Sequence, residues 1–232
     1  MSVSVIIAAG GKGSRMNLDV CKQLLELNKF PIIHYSISVF ESIEEVTNIL
    51  LVVNEKIIDD VKKIINHYNY KKIIGIIKGG KERQDSVFSG LQFYKNNPPD
   101  IILIHDAVRP FINKSFVRSI ILATEKYDAA IPALKLKDTI KYTVNGKFIS
   151  NTPDRDKFRI VQTPQGFKFN LLFESYIFAK ENKVLTTDDS SIVEINGVSP
   201  FLVEGLEQNL KITTQNDLIL AKTIINYHNF YQ

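Results

Sequence analysis

Cysteine is nearly absent: Cys21 is the one thiol in 232 residues. A lone thiol closes no disulfide within the chain, and neither a second cysteine nor a spaced histidine pair joins it as a zinc ligand. A disulfide scaffold and a zinc site are both excluded, and a reducing compartment, the cytoplasm, is expected. Long apolar runs are also missing. No 18-residue stretch is free of charge, which excludes a membrane-spanning helix. Charge of one sign is scarce in excess, with 29 basic against 25 acidic residues and a net charge of +4. With no Lys/Arg tract interleaved with aromatics, nucleic acid is not the expected partner, although a small anion could use the excess locally. Strand-like sequence starts at Val3, so no leader peptide is expected.

What is present is a soluble-type core, 44% hydrophobic, arranged as alternating strand-like and helix-like segments. The apolar runs Val3–Ala9, Ile49–Val53, Ile73–Ile77, Ile101–His105 and Ala129–Leu134 read as strands. Pro31–Phe40, Lys56–Tyr68, Ser86–Tyr94 and Ser115–Tyr127 read as the helices between them. Strands apolar along their whole length, separated by helices, predict an α/β fold with a mostly parallel sheet covered on both faces. The alternation breaks after Leu136. Thr139–Thr143 and Lys147–Ser150 flank Asn145-Gly146, a pair that favours a two-residue hairpin turn, so a protruding β-arm is predicted. An exposed hairpin needs a cover, and a second copy of the chain is the simplest one. Helices near Phe169–Lys180 and Ser190–Ile195, strands at Phe201–Glu204 and Leu210–Thr213, and a helix from Gln215 complete one domain over 1–232, with its arm at about 137–163.

In parallel sheets ligands bind at the carboxyl ends of the strands, so the residues that follow each strand are the candidates. After the first come Gly10-Gly11-Lys12-Gly13-Ser14-Arg15-Met16 and then Lys22. Glycines there admit close backbone approach, as in a phosphate loop, although a tight connection would use them equally well. The spacing matches neither G-x-x-x-x-G-K-[ST] nor G-x-G-x-x-G. After the third strand, Gly79-Gly80 precedes Arg83 and Ser86, which read as an ion-pairing residue and a helix cap or ligand contact. After the fourth, His105-Asp106-Ala107-Val108-Arg109-Pro110 offers an acid beside phosphates and a planar cation, or a structural pair. Lys211 offers an ammonium near the end of the chain. The four histidines read as surface or satisfied positions, and no Ser/His/Asp or Cys/His constellation has defensible spacing. A chemistry that needs only cations would suit: an already ionised phosphate attacking a nucleoside triphosphate requires no general base.

Taken together, these residues resemble a known family. Ala8-Ala9-Gly10-Gly11-Lys12-Gly13-Ser14-Arg15-Met16, Lys22-Gln23, Gly79-Gly80 through Asp85-Ser86-Val87, His105 to Pro110, Asp138-Thr139-Ile140-Lys141, Thr163-Pro164-Gln165, Thr187-Asp188-Asp189, Val203-Glu204-Gly205 and Asn209 to Thr213 stand in the order of the 2-C-methyl-D-erythritol 4-phosphate cytidylyltransferases. The resemblance implies a Rossmann-like, three-layer nucleotidyltransferase fold whose β-arm is exchanged across a homodimer. It implies CTP and a small alcohol phosphate as substrates, with Mg²⁺ or another divalent cation as cofactor. By motif, Arg15, Lys22 and Lys211 would be catalytic. Ala8, Ala9, Gly10, Gly11, Gly13, Gly80, Ser86 and Asp106 would bind the nucleotide, with Asp106 also near the metal. Arg109 and Thr139 would hold the alcohol phosphate, with Arg155 and Thr163 arriving from the partner's arm. The family's usual Pro-Lys-Gln reads Cys21-Lys22-Gln23 here, without proline's fixed φ. The ribitol-5-phosphate cytidylyltransferases share the glycine loop, His-Asp-Ala-Val-Arg-Pro and Thr-Pro-Gln. Pro153-Asp154-Arg155 and Val203-Glu204-Gly205 favour the methylerythritol enzymes. A catalytically silent nucleotide-binding protein on the same fold is a further alternative.

Overall fold

A computed structural model describes residues 1–11 and 21–228. Strand β1 (Val3–Ala9) is followed by a 3-10 turn (Lys22–Leu24), short strands β2 (Glu26–Leu27) and β3 (Phe30–Pro31), and helix α1 (Ile32–Glu41). Next come β4 (Val46–Val53), α2 (Ile58–Tyr68), β5 (Ile73–Lys78), α3 (Arg83–Tyr94), β6 (Ile101–Asp106), α4 (Lys114–Tyr127) and β7 (Ala129–Lys135). The arm carries β8 (Tyr142–Val144) and β9 (Phe148–Asn151), and the chain returns through β10 (Arg159–Val161) and β11 (Gln165–Lys168). Helices α5 (Phe169–Glu181) and α6 (Asp189–Ile195), strand β12 (Phe201–Glu204) and helix α7 (Gln215–His228) complete it.

The main sheet runs β10-β7-β11-β6-β1-β4-β5, with β12 also paired to β7. β1 lies parallel to both β4 and β6, and β4 to β5. Strand β11 inserts antiparallel between β6 and β7, and β10 runs antiparallel along β7. The mostly parallel sheet is as expected; these two antiparallel strands were missed, being short and without a continuous apolar run.

Strand alternation divides the core into two layers. Val3, Val5 and Ile7 face Ile33, Phe40, Val61 and Val117 of the α1, α2 and α4 side. Ile6, between them in sequence, faces Val87, Leu91, Leu172 and Ile192 of the α3, α5 and α6 side. Both faces are covered, which is why these strands carry no polar alternation. A third cluster joins Val108 and Phe111, after β6, to Ile212 and to Ala221 and Ile225 of α7.

Two local expectations are corrected. Leu210–Thr213 is not a strand; the Ile212 N–H donates to the Val108 carbonyl at 2.9 Å, and the buried Ile212 anchors the segment without a ladder. Nor is Ser86 a helix cap. Helix α3 starts three residues earlier because Glu82 and Asp85 form a reciprocal capping box, each side chain taking the other's orphan N–H. A hairpin turning at Asn145-Gly146 is present as predicted, with φ of 49° and 71°, but its first strand starts at Tyr142 rather than Thr139 and its second runs Phe148–Asn151. Among the described residues β8 and β9 pair only with each other.

Candidate active site

A cleft of about 860 Å³ opens at the carboxyl edge of the parallel strands. Ala8, Gly10 and Gly11 come to it from β1, Asn54 from β4, Gly79 and Gly80 from β5, and Asp106 from β6, with Lys22 and Lys211 also on its wall. The Ser86 hydroxyl accepts from the Gly80 N–H at 3.0 Å and donates to the Glu82 carbonyl at 3.0 Å. A Cβ on Gly79 would stand 3.0 Å from that hydroxyl oxygen, and one on Gly10 would stand 3.2 Å from it. Two glycine loops therefore close on one hydroxyl, which a side chain on either would push apart. Gln23 ties the first loop to the turn carrying Lys22: its Nε2 donates to the carbonyls of Ala9 at 2.7 Å and Gly11 at 3.0 Å. Cys21, at φ −61°, already holds the angle that a proline would impose.

Asp106 lies at the inner end of the cleft, gripped by three cations. Arg83 Nε donates to Oδ1 at 3.0 Å, while Lys211 Nζ reaches Oδ2 at 2.7 Å and Arg109 Nε stands 3.8 Å from Oδ2. Burial opposes ionisation, but Arg83, Lys211 and Arg109 together outweigh it and hold the carboxyl far below the usual range. Arg83 extends its other nitrogen to Asp189 at 2.7 Å, and the Tyr176 hydroxyl donates to Asp189 at 2.6 Å. For Arg83 burial again works against charge, and Asp189 and Asp106 more than reverse it, raising the pKa.

A second pocket, of about 380 Å³, adjoins the first and shares Arg83, Asp106 and Lys211 with it. Its own walls come from Arg109, Thr163, Gln165, Asp188, Ser190 and Ser191, among others. Arg109 is anchored by NH1 on the Asn209 carbonyl at 2.8 Å, and its buried Nε has no hydrogen-bond partner among the described residues. A planar cation on the wall of this pocket suits an oxyanion. His105 stabilises this corner without facing it. The Asp106 N–H donates to Thr163 Oγ1 at 3.1 Å, which lies 3.2 Å from His105 Nδ1, while Nε2 lies 3.2 Å from the Arg109 carbonyl. Those partners suit a neutral ring with its proton on Nε2, and burial pulls the pKa down to about 3.

The structure thus brings Ala8, Gly10, Gly11, Lys22, Gly80, Ser86, Asp106 and Lys211 to one cleft, and Arg109 and Thr163 to the adjoining pocket. Ala9 is buried behind the loop and offers only its carbonyl to Gln23. Gly13 and Arg15 lie outside the described residues. Thr139 and Arg155 are exposed at the base of the arm, with Arg155 donating to the Lys137 carbonyl at 2.6 Å, and neither lines either pocket. Thr163 corrects the expectation of a partner-borne residue: it is buried against its own chain's Asp106, because β10 before it and β11 after it both lie in the main sheet. Sequence reasoning gave Arg83 and Asp189 no role in the site. The two lie 106 positions apart, and only the Thr187-Asp188-Asp189 motif signalled that end.

The family model for IspD, 2-C-methyl-D-erythritol 4-phosphate cytidylyltransferase, matches residues 3–227. A Clostridium botulinum protein of that name is 41% identical over 222 residues, spanning 96% of each chain. One from Geobacillus kaustophilus is 40% identical over 225 residues, 97% of each chain. Among solved structures, a 4-diphosphocytidyl-2C-methyl-D-erythritol synthase from Anaerococcus prevotii superposes with a TM-score of 0.86 at 30% identity, covering 97% of this chain and 96% of that one. The two-pocket cleft, the motif order and these full-length likenesses agree: the chain belongs to the 2-C-methyl-D-erythritol 4-phosphate cytidylyltransferase family.

Proposed function

We propose that this chain transfers the cytidylyl group of CTP to 2-C-methyl-D-erythritol 4-phosphate, giving 4-diphosphocytidyl-2-C-methyl-D-erythritol and pyrophosphate. The observation that carries the reading is a nucleotide-sized cleft and a smaller pocket that meet at Arg83, Asp106 and Lys211. CTP occupies the larger cleft with its base toward Gly80 and Ser86 and its phosphates toward Lys22, where by motif Arg15 would join. The acceptor phosphate sits by Arg109 and Thr163. One of its oxygens attacks the α-phosphorus; the new P–O bond forms as the bond to the departing pyrophosphate breaks. An acceptor phosphate ionised at neutral pH needs no general base, so catalysis reduces to alignment and neutralisation of charge by Lys22, Lys211 and Arg15.

The donor set suits a cation that arrives with the triphosphate. Asp106 is the carboxylate common to both pockets and would supply the protein oxygen to Mg²⁺, whose other ligands would be phosphates and water. Such a cation would neutralise charge on the triphosphate.

The working form is a homodimer in the cytoplasm. Tyr142, Val144, Phe148 and Ile149 on the arm are exposed apolar side chains of a hairpin that, among the described residues, pairs with no other strand. A two-stranded hairpin is marginal alone, and this surface calls for a protein cover. Thr139 and Arg155, which line neither of these pockets in their own chain, would complete the partner's. Among the described residues no helix is long and apolar enough to cross a membrane.

A coupled pyrophosphate assay tests the reading, run with CTP and either methylerythritol phosphate or ribitol 5-phosphate, with and without a chelator. Release with the first acceptor, abolished by chelation and restored by Mg²⁺, is the expected result. Preference for ribitol 5-phosphate would reassign the acceptor. CTP binding without release would indicate a silent nucleotide-binding protein.

A further inference from the structure

Three cations and two carboxylates, Arg83, Arg109, Lys211, Asp106 and Asp189, crowd the junction of the two pockets. The contacts run in one line. The Tyr176 hydroxyl donates to Asp189 Oδ1 at 2.6 Å, and Arg83 NH2 donates to Asp189 Oδ2 at 2.7 Å. Arg83 Nε then holds Asp106 Oδ1 at 3.0 Å, which leaves Oδ2 for Lys211 at 2.7 Å. The far end of the line is buried: Asp189 is 0% exposed and Tyr176 2%. Its near end lines both pockets.

We infer that Tyr176 and Asp189 are positioning residues for the transfer: through Arg83 they hold the Asp106 carboxylate, and with it the Lys211 ammonium, at the junction of the two pockets. This inference rests on the function proposed above. The argument is one of geometry and charge. A guanidinium beside a triphosphate cleft would turn toward the phosphates unless its other edge were occupied. Asp189 occupies that edge, in a planar pairing that lysine could not copy. Asp189 is held in turn by Tyr176, so the assembly has one arrangement in which every charge has a partner. The neighbouring carboxylate faces the other way. Asp188 accepts from Gln165 at 2.9 Å, Ser190 at 2.7 Å and Ser191 at 2.6 Å on the wall of the smaller pocket. Two consecutive acids at the start of α6 therefore serve the two ends of the reaction: Asp188 shapes the acceptor pocket, and Asp189 orients the cations between the pockets.

The test uses purified Asp189→Asn and Tyr176→Phe proteins, Asp106→Asn, and the double variant Asp106→Asn/Asp189→Asn. For each, kcat, the KM for both substrates, CTP affinity by calorimetry and the melting temperature are measured. Asp189→Asn is expected to lower kcat by about 10-fold to 10²-fold, the scale of an ångström misplacement, with CTP affinity within about threefold of wild type. Tyr176→Phe, which removes one oxygen and preserves shape, should lower kcat about 2-fold to 10-fold and carries the test if Asp189→Asn fails to fold. In the Asp106→Asn background, adding Asp189→Asn should change kcat by less than about twofold, since the residue it acts through has already lost its charge. A purely structural role would lower the melting temperature without that loss of additivity. Unchanged kcat in folded Tyr176→Phe and Asp189→Asn, or the same fold-loss with and without Asp106, would overturn the inference. An inactive wild-type protein would speak against the proposed function instead.

Discussion

At the scale of single residues, His105 shows how a side chain next to a reactive centre can serve the site by staying neutral. Its ring is fully buried between Thr163 and the Arg109 carbonyl, and it packs edge-on against Phe40 at 5.2 Å between centroids. Burial is the dominant cause of its depressed pKa, opposed by Asp106 and assisted by Arg109. The sign for stability follows directly. The unfolded chain takes up a proton as pH falls through about 6.5, and the folded chain refuses it until about 3. Stability is therefore complete above about 6.5 and declines as pH falls, at most by roughly 1.4 kcal/mol per pH unit for this group. His34, lowered to about 4 by burial and by His67, adds to the same decline. Urea unfolding at pH 7.5, 6 and 5 should show this loss, and the His105 ring resonances should stay those of a neutral imidazole down to pH 5. A His105 that titrates near 6.5 would contradict the burial argument.

At the scale of elements, the insertion of β11 between β6 and β7 decides where Thr163 and Gln165 end up. It depends on close packing of α4 over that strand. Gly166 pairs with Leu103 on one side and Ala130 on the other. A Cβ there would lie 2.2 Å from Thr124 Oγ1 and 3.0 Å from an Ile120 methyl. Thr124 has no room to yield, since it is fully buried and donates to the Ile120 carbonyl at 2.7 Å. Gly166→Ala should therefore cost about 1–3 kcal/mol or more, through overpacking, despite alanine's lower backbone entropy. Chemical denaturation would read this as a lowered midpoint with an unchanged slope. Turnover should fall with it if β11 shifts, because Thr163 and Gln165 flank the smaller pocket. A variant as stable as wild type would mean that α4 can move off the sheet at little cost.

At the scale of the whole molecule, the arm and the cleft raise the question of which chain completes which site. Lys22 lines the cleft, and Arg155 is exposed on the arm and lines neither the cleft nor the adjoining pocket. Lys22→Ala and Arg155→Ala should each lower turnover by at least about 10²-fold, the cost of losing a charge that meets the transferring phosphate. If the arm serves its partner, both lesions of a mixed dimer can fall on one composite site and leave the other whole. Mixing the two inactive proteins, with subunit exchange verified by mass, should then restore part of the activity. Verified exchange without recovery would place Arg155 in its own subunit's site or outside any site.

What the sequence determined by itself is what depends on neighbours in the chain. Apolar runs specify buried strands because residues i and i+2 of a strand share a face, so Val3 to Ala9 and Ile101 to His105 were legible at once. Asn145-Gly146 specified the hairpin because positive φ is a local property, and glycines at the strand ends marked the cleft because close backbone approach there leaves no room for a Cβ. The tertiary structure alone decided which distant charges meet. Arg83 reads as an ordinary ion-pairing residue until folding sets Asp106 and Asp189 on either side of it. Lys211 reads as strand until Ile212 docks on Val108 and the ammonium reaches Asp106. Thr163 reads as part of an arm until β10 and β11 bring it home. In each case the energy lies in partners dozens of positions away. Local preference carries no record of them, and burial makes their pairing strong enough to override it.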